Sequence, residues 1–380
     1  MFPEAPKPDL FLLLYFSLLG FCSSLIFFLV LSTMHCFKAT YPDYAYSFYS
    51  MAAVKFPIFI TLFVIRFVGN FSYSLQIVGG LIGSLLGFIG TVQASRVFPK
   101  TGTGLAVTLT FQSVGAVCTF VFQAIAVRVA SYYSTEVYAY YYAQAAFACV
   151  VTSGLGMFMV WEGVDIQTSV NVIMAIAILF YGGTAAVHLA FVRTDPYFRD
   201  HINARRKLQT VRFWKLADVY SIIKGKFWTL AIILCLLAIT YRTVFFEICP
   251  STIDYGLWVN AVTIGSNCAE FVGRYTGDVP TMSWIVKWFH WYPWVYTAVI
   301  CWVYLWGAQS VRDSLWGLLW ILMLAVAFRT GICITYYVVA AMGDAHEPNA
   351  AMIMNYGKEF GAAIGALISL GVVALKAHIK

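Results

Sequence analysis

Apolar runs of about twenty residues recur from one end of this chain to the other, and that repetition constrains the fold more than any other feature. A helix needs about 20 predominantly apolar residues to cross the hydrocarbon core of a bilayer. On that criterion eleven segments qualify, over residues 9–35, 47–69, 74–97, 104–130, 137–161, 168–192, 227–248, 257–278, 289–307, 314–341 and 350–375. The run from Leu10 to Val30 exceeds the roughly 7–15 residues of a signal-peptide core and has no small-residue cleavage site, so it reads as the first span. Of 380 residues, 61% are hydrophobic and 11% charged, whereas an ordinary soluble domain has about 25% charged residues. Such a chain has too few polar groups to cover its own surface in water. Lipid, by contrast, solvates apolar side chains on every face of a helix. The expected fold class is therefore an all-α membrane protein with eleven transmembrane helices.

Charge sets the expected orientation. Between Arg193 and Lys226 stand nine basic residues against Asp195, Asp200 and Asp218. By the positive-inside rule this segment is cytoplasmic. Six spans upstream place the N-terminus in the cytoplasm and five downstream place the C-terminus outside, with Lys376 and Lys380 as a minor counter-signal. The acidic loop of Glu162 and Asp165 then falls outside. The Asn70-Phe71-Ser72 sequon falls inside, where glycosylation does not occur. The domain reading is a six-helix bundle over 1–195, a basic cytoplasmic loop over 196–226 and a five-helix bundle over 227–380, a six-plus-five arrangement. The net charge of +7 is too dispersed for a nucleic-acid partner. The nine cysteines contain no C-x-x-C pair, so neither a disulfide framework nor a metal site is expected.

Ionisable residues at membrane depth are costly and by default face a cavity or a partner helix. Here they are Lys55, Arg66, His188, Glu270, Arg274, Asp278, Arg329, Lys358 and Glu359. Arg66, Asp278 and Arg329 stand near enough to span ends to snorkel, and His188 reads as a hydrogen-bonded packing residue. Glu270 and Arg274 are spaced i, i+4, so they share a helix face and can pair. The pair either lets a polar helix insert or lines a polar cavity. Gly79, Gly83 and Gly87, and likewise Gly357, Gly361 and Gly365, recur every four residues and offer flat faces for close helix approach.

The run Asn267-Cys268-Ala269-Glu270-Phe271-Val272-Gly273-Arg274 resembles the eighth-helix signature of the equilibrative nucleoside transporters, an acidic residue followed four positions later by the arginine of Gly-Arg. Leu19-Gly20 with Leu25 is similar to that family's first span. The stretches Ala327 to Gly331, Ala350 to Met354 and Gly361 to Gly365 are similar to its tenth and eleventh helices. The family's acid is usually aspartate where this chain has Glu270. Its Pro-Trp-Asn on the first helix is replaced by Ile26-Phe27-Phe28. Lys55 stands where relatives have an apolar cavity residue, and Lys358-Glu359 is also unusual.

The resemblance implies a six-plus-five, major-facilitator-like arrangement and a membrane transporter, not an enzyme, that moves nucleosides or nucleobases by alternating access through a midplane site. It implies no cofactor, catalytic residue or metal. The implied walls are Ser24, Phe27 and Leu31 on the first helix and Lys55 and Ile58 on the second. Gln144 on the fifth suits the edge of a base, because an amide both donates and accepts, with Gln123 as a second choice. Glu270 and Arg274 would address ribose hydroxyls, the guanidinium through its rigid fork of donors. The expected setting is the plasma membrane and lipid, as a monomer. Two other readings stand beside this one. A proton-coupled symporter would titrate Glu270 or Glu359. An intramembrane enzyme would use Asp278 after Gly277 or Asp344 after Gly343, neither within a full Gly-x-Gly-Asp.

Overall fold

The computed structural model describes residues 8–57, 61, 71–133, 135–202, 214–276, 283–288, 290–345 and 349–379. Every regular element among them is helical: α1 (Leu10–Ser32), α2 (Met34–Thr40), α3 (Tyr46–Lys55), α4 (Tyr73–Val97), α5 (Gly102–Tyr133), α6 (Thr135–Trp161), α7 (Ile166–Thr194), α8 (Trp214–Ile239), α9 (Tyr255–Thr276), α10 (Ser283–Trp288), α11 (Tyr292–Trp306), α12 (Gln309–Ala345) and α13 (Asn349–Ile379). A π-helical turn over Phe198–Ile202 follows α7, and a second over Thr240–Val244 with a 3₁₀ turn over Phe246–Ile248 extends α8. Ile58, Arg66, Asn70 and Asp278, and the central stretch 203–213, lie outside the described residues.

Among the described residues, seven helices are long and apolar enough to cross a membrane: α1, α4, α7 and α12, with most of α5, α8 and α13. The chain is a multi-pass integral membrane protein. Helices α6, α9 and α11 also run where the sequence places spans, but only Phe147–Trp161 of these adds a shorter apolar stretch. Helix α8 starts at Trp214, inside the 196–226 segment read as a loop. Lys224 and Lys226 therefore ride on its early turns, where Lys226 forms an ion pair with Asp344 of α12.

Local chemistry starts the helices where the hydropathy changes. The side chains of Asp9, Ser72 and Asp165 accept hydrogen bonds from the backbone N–H of Leu12, Leu75 and Thr168, capping α1, α4 and α7. Glycines then set how closely the helices pack. A Cβ added to Gly361 would fall 2.0 Å from the Ala231 carbonyl oxygen, and one added to Gly87 would fall 2.4 Å from Cα of Gly115. Gly83 meets Cys118 in the same way, but Gly79 faces open space. Gly80, against Phe122, takes its place, so the packing stripe on α4 departs from the four-residue repeat by one residue at its first position.

Residues from α1, α2, α3, α9 and the 3₁₀ turn after α8 meet in one polar cluster. Lys38 pairs with Glu247 at 2.8 Å, and Ser47 and Tyr255 donate to the same carboxylate at 2.8 and 3.2 Å. The Lys38 ammonium lies 3.8 Å from the centre of the Tyr255 ring. Asn260 donates to the Ser32 carbonyl at 3.4 Å. Elsewhere His188 is fully buried, bonded to Tyr15 at 2.6 Å and Ser74 at 3.0 Å, and so is a packing residue. Arg329 is 4% exposed, and its Nε and Nη1 have no hydrogen-bond partner among the described residues. It sits among helices instead of snorkelling.

Candidate functional site

Helices α1, α3, α4, α5, α6, α8, α9 and α13 surround a cavity of about 160 Å³. That is many times the roughly 10–15 Å³ that one water requires on the same measure. The space is therefore solute-sized.

Local backbone chemistry delivers the charged groups to this space. Lys55 is the last residue of α3, and the chain turns at Phe56 and Pro57. Proline lacks the N–H needed to continue a helix. Broken backbone at membrane depth is tolerated where it is buried in protein or lines a cavity, and both Lys55 and the buried Pro57 meet that condition. On α13, Gly357 and Gly361 lie against Phe227 and Ala231 of α8. That contact turns Lys358, Glu359 and Ala362 toward the cavity. On α9, Gly273 admits the backbone of α12, and Gly331 of α12 admits the backbone of α9 at Glu270. The two helices lock there, leaving Asn267, Glu270, Phe271 and Arg274 on the cavity side.

Two ionic groups result. Glu270 and Arg274 pair along α9, with side chains 10% and 22% exposed. Glu359 stands between two lysines, its Oε2 2.8 Å from Nζ of Lys55 and its Oε1 3.1 Å from Nζ of Lys358. The Lys55 ammonium also lies over aromatic faces, 4.9 Å from the ring centre of Phe27 and 5.7 Å from that of Phe120. Such contacts stabilise a cation removed from water.

Neutral polar groups complete the lining. Gln112 is buried, with its amide nitrogen bonded to Ser50 at 2.7 Å and its amide oxygen without a hydrogen-bond partner among the described residues. Gln123, Ser24 and Asn267 also face the cavity, and Asn267 is oriented by a 2.7 Å bond to the Thr263 carbonyl. Aromatic rings supply flat apolar walls, chiefly Phe27, Phe28, Phe88, Phe120 and Phe271. The arrangement suits a planar solute with several polar edges, since rings cover faces while amides and charges meet edges.

Of the residues expected at a site, Ser24, Phe27, Lys55, Glu270 and Arg274 line this cavity. Leu31 does not. It is 1% exposed and belongs to the packed core of α1. Gln144 does not either: its neighbour Ala145 takes the lining position, about 100° further round α6. Ile58 lies outside the described residues. Lys358, Glu359 and Gln112 are the additions. The first two were visible as charges within an apolar run, whereas Gln112 carried no signal that set it apart from a packing amide.

Searched against protein families and against curated proteins, the sequence matches none. Among solved structures, the chain is similar to the crystal structure of the nucleoside transporter NupG, with a TM-score of 0.58 at 10% identity, over 97% of this chain and 96% of that one. A mutant of the same transporter is similar at a TM-score of 0.55 and 12% identity, over 97% and 98% of the two chains. This chain shares that transporter's fold. At such identities the likeness concerns the fold alone, and the substrate has to be argued from the site.

Proposed function

We propose that the protein carries nucleosides, and nucleobases with them, across a membrane by alternating access through the central cavity. The observation that carries the reading is the cavity itself. It is a solute-sized space walled by aromatic rings and edged by Gln112, Gln123, Asn267 and two ionic groups, in a fold shared with a nucleoside transporter. Phe27 provides a face for a base, an amide edge reads its donors and acceptors, and Arg274 with Glu270 addresses hydroxyls. In this reading the chain has eleven spans, six over 1–195 and five over 227–380, joined by the cytoplasmic segment 196–226. The N-terminus is cytoplasmic and the C-terminus extracellular. The cluster of Lys38 and Glu247 closes the outer end, and the protein works as a monomer in the plasma membrane. The test is uptake of labelled nucleosides into tight proteoliposomes containing the purified chain. Saturable uptake above protein-free liposomes supports the proposal. Absence of uptake of every nucleoside and nucleobase offered, by monodisperse protein, refutes it.

A further inference from the structure

The cavity holds an unequal charge set. Lys55 and Lys358 share the single carboxylate of Glu359, one on each oxygen. Their side chains are only 12% and 12% exposed, and that of Glu359 is 8% exposed. Two ammonium groups and one carboxylate leave an excess of one positive charge. Glu270 and Arg274 balance each other, one negative and one positive, so the excess stands for the described charged lining as a whole. An uncompensated charge held away from water is unfavourable. Both oxygens of Glu359 are already occupied, and a neutral base or nucleoside brings dipoles but no balancing charge. A solute with one negative charge does balance it. Each ammonium has three donors and uses one on Glu359, so each keeps donors for an incoming anion.

We propose that the preferred solute is a monoanion, a planar heterocycle of nucleobase size that bears one carboxylate or equivalent acidic group. Its negative charge sits against Lys358 and Lys55, opposite Glu359, while its ring lies among the aromatic walls. This inference rests on the transport reading of the same cavity and narrows its substrate class. The same triad also joins α3 to α13, so an anion competing with Glu359 for the lysines would loosen a contact between the early and late parts of the chain.

The test compares solutes that differ by one charge. Full-length protein in proteoliposomes is offered labelled orotate, uracil and uridine. Orotate is uracil with a carboxylate, so the pair isolates charge from ring. The expected result is a preference for orotate over uracil of at least about tenfold in half-saturating concentration. Lys358→Gln leaves one cation to one carboxylate in the triad, and should bring the two compounds to within about threefold of each other. If that variant fails to fold, calorimetric titration of the native chain in detergent with orotate and with uracil decides the matter alone. Uptake of uracil or uridine equal to or better than that of orotate overturns the monoanion proposal and leaves the transport reading intact. Uptake of none of the three overturns the monoanion proposal, and the transport reading falls with it if the purine nucleosides and nucleobases are refused as well.

Discussion

Gly273 on α9 and Gly331 on α12 admit each other's helix: a Cβ on the first would lie 2.0 Å from the Phe328 carbonyl oxygen, and one on the second 2.1 Å from the Glu270 carbonyl oxygen. The contact is backbone against backbone, which no side-chain adjustment relieves. Thr335 adds a 2.9 Å hydrogen bond to the Arg274 carbonyl at the same seam. The position of the Glu270–Arg274 pair is thus fixed by two missing methyl groups.

Enlarging either glycine should separate the helices. Gly331→Leu is expected to cost at least the roughly 1–3 kcal/mol of overpacking, seen as a lower melting temperature in detergent. Gly361→Leu, against the Ala231 carbonyl, should behave alike. Normal stability and uptake in both would mean that these faces do not pack as described.

Arg274→Lys keeps the charge and loses the planar fork. Uptake affinity should fall about ten- to a hundredfold, the equivalent of one or two hydrogen bonds, with the folded fraction unchanged. A pair that serves insertion alone behaves differently, because Glu270→Gln combined with Arg274→Gln would then restore both stability and affinity. Nucleoside affinity of the purified double variant separates the two roles.

Gln112 already buries one amide atom without a partner. Replacing it by Leu removes a destabilising feature along with the Ser50 bond, so the melting temperature should hold or rise. Affinity should drop by about 1–3 kcal/mol if the amide meets the solute. Equal affinity in the variant and the native chain would remove Gln112 from the site.

The proposed closure of the outer end by Lys38 and Glu247 is open to a direct measurement. Lys38 and Glu247 are 37% and 22% exposed at their side chains, so solvent screening limits the pair to about 0–1 kcal/mol. Glu247→Gln should therefore raise the open population by up to about fivefold. The readout is the labelling rate of Val30→Cys, which lines the cavity, by a membrane-impermeant reagent in a background without native cysteines. An unchanged rate in both Glu247→Gln and Lys38→Met would show that the cluster does not hold this end shut.

Hydropathy made the helical membrane fold legible, because α7 in water would expose apolar side chains over most of its surface. The i, i+4 spacing made Glu270–Arg274 legible for the same local reason. What stayed hidden was relational. Nothing near Lys55 names Glu359 as its partner, and a register of one residue decides whether Gln144 or Ala145 meets the cavity. The same one-residue slip separates Gly79, in open space, from Gly80, in tight contact. Periodicity identifies a face of a helix, but the neighbouring helix decides which edge of that face is used.

The 304 positions between Lys55 and Glu359 are also an interval of time. At about 5–20 residues per second, a ribosome makes the carboxylate roughly 15–60 s after the ammonium. Over that period Lys55 has no Glu359, and its charge has to stay near the membrane surface. Helix α3 suits that wait, being ten residues long and followed by the Phe56–Pro57 turn. Biogenesis therefore ends with the site instead of starting from it. A chain stopped before Glu359 contains most of its helices yet strands a lysine, and such truncations should register in degradation at the site of insertion before they register in uptake.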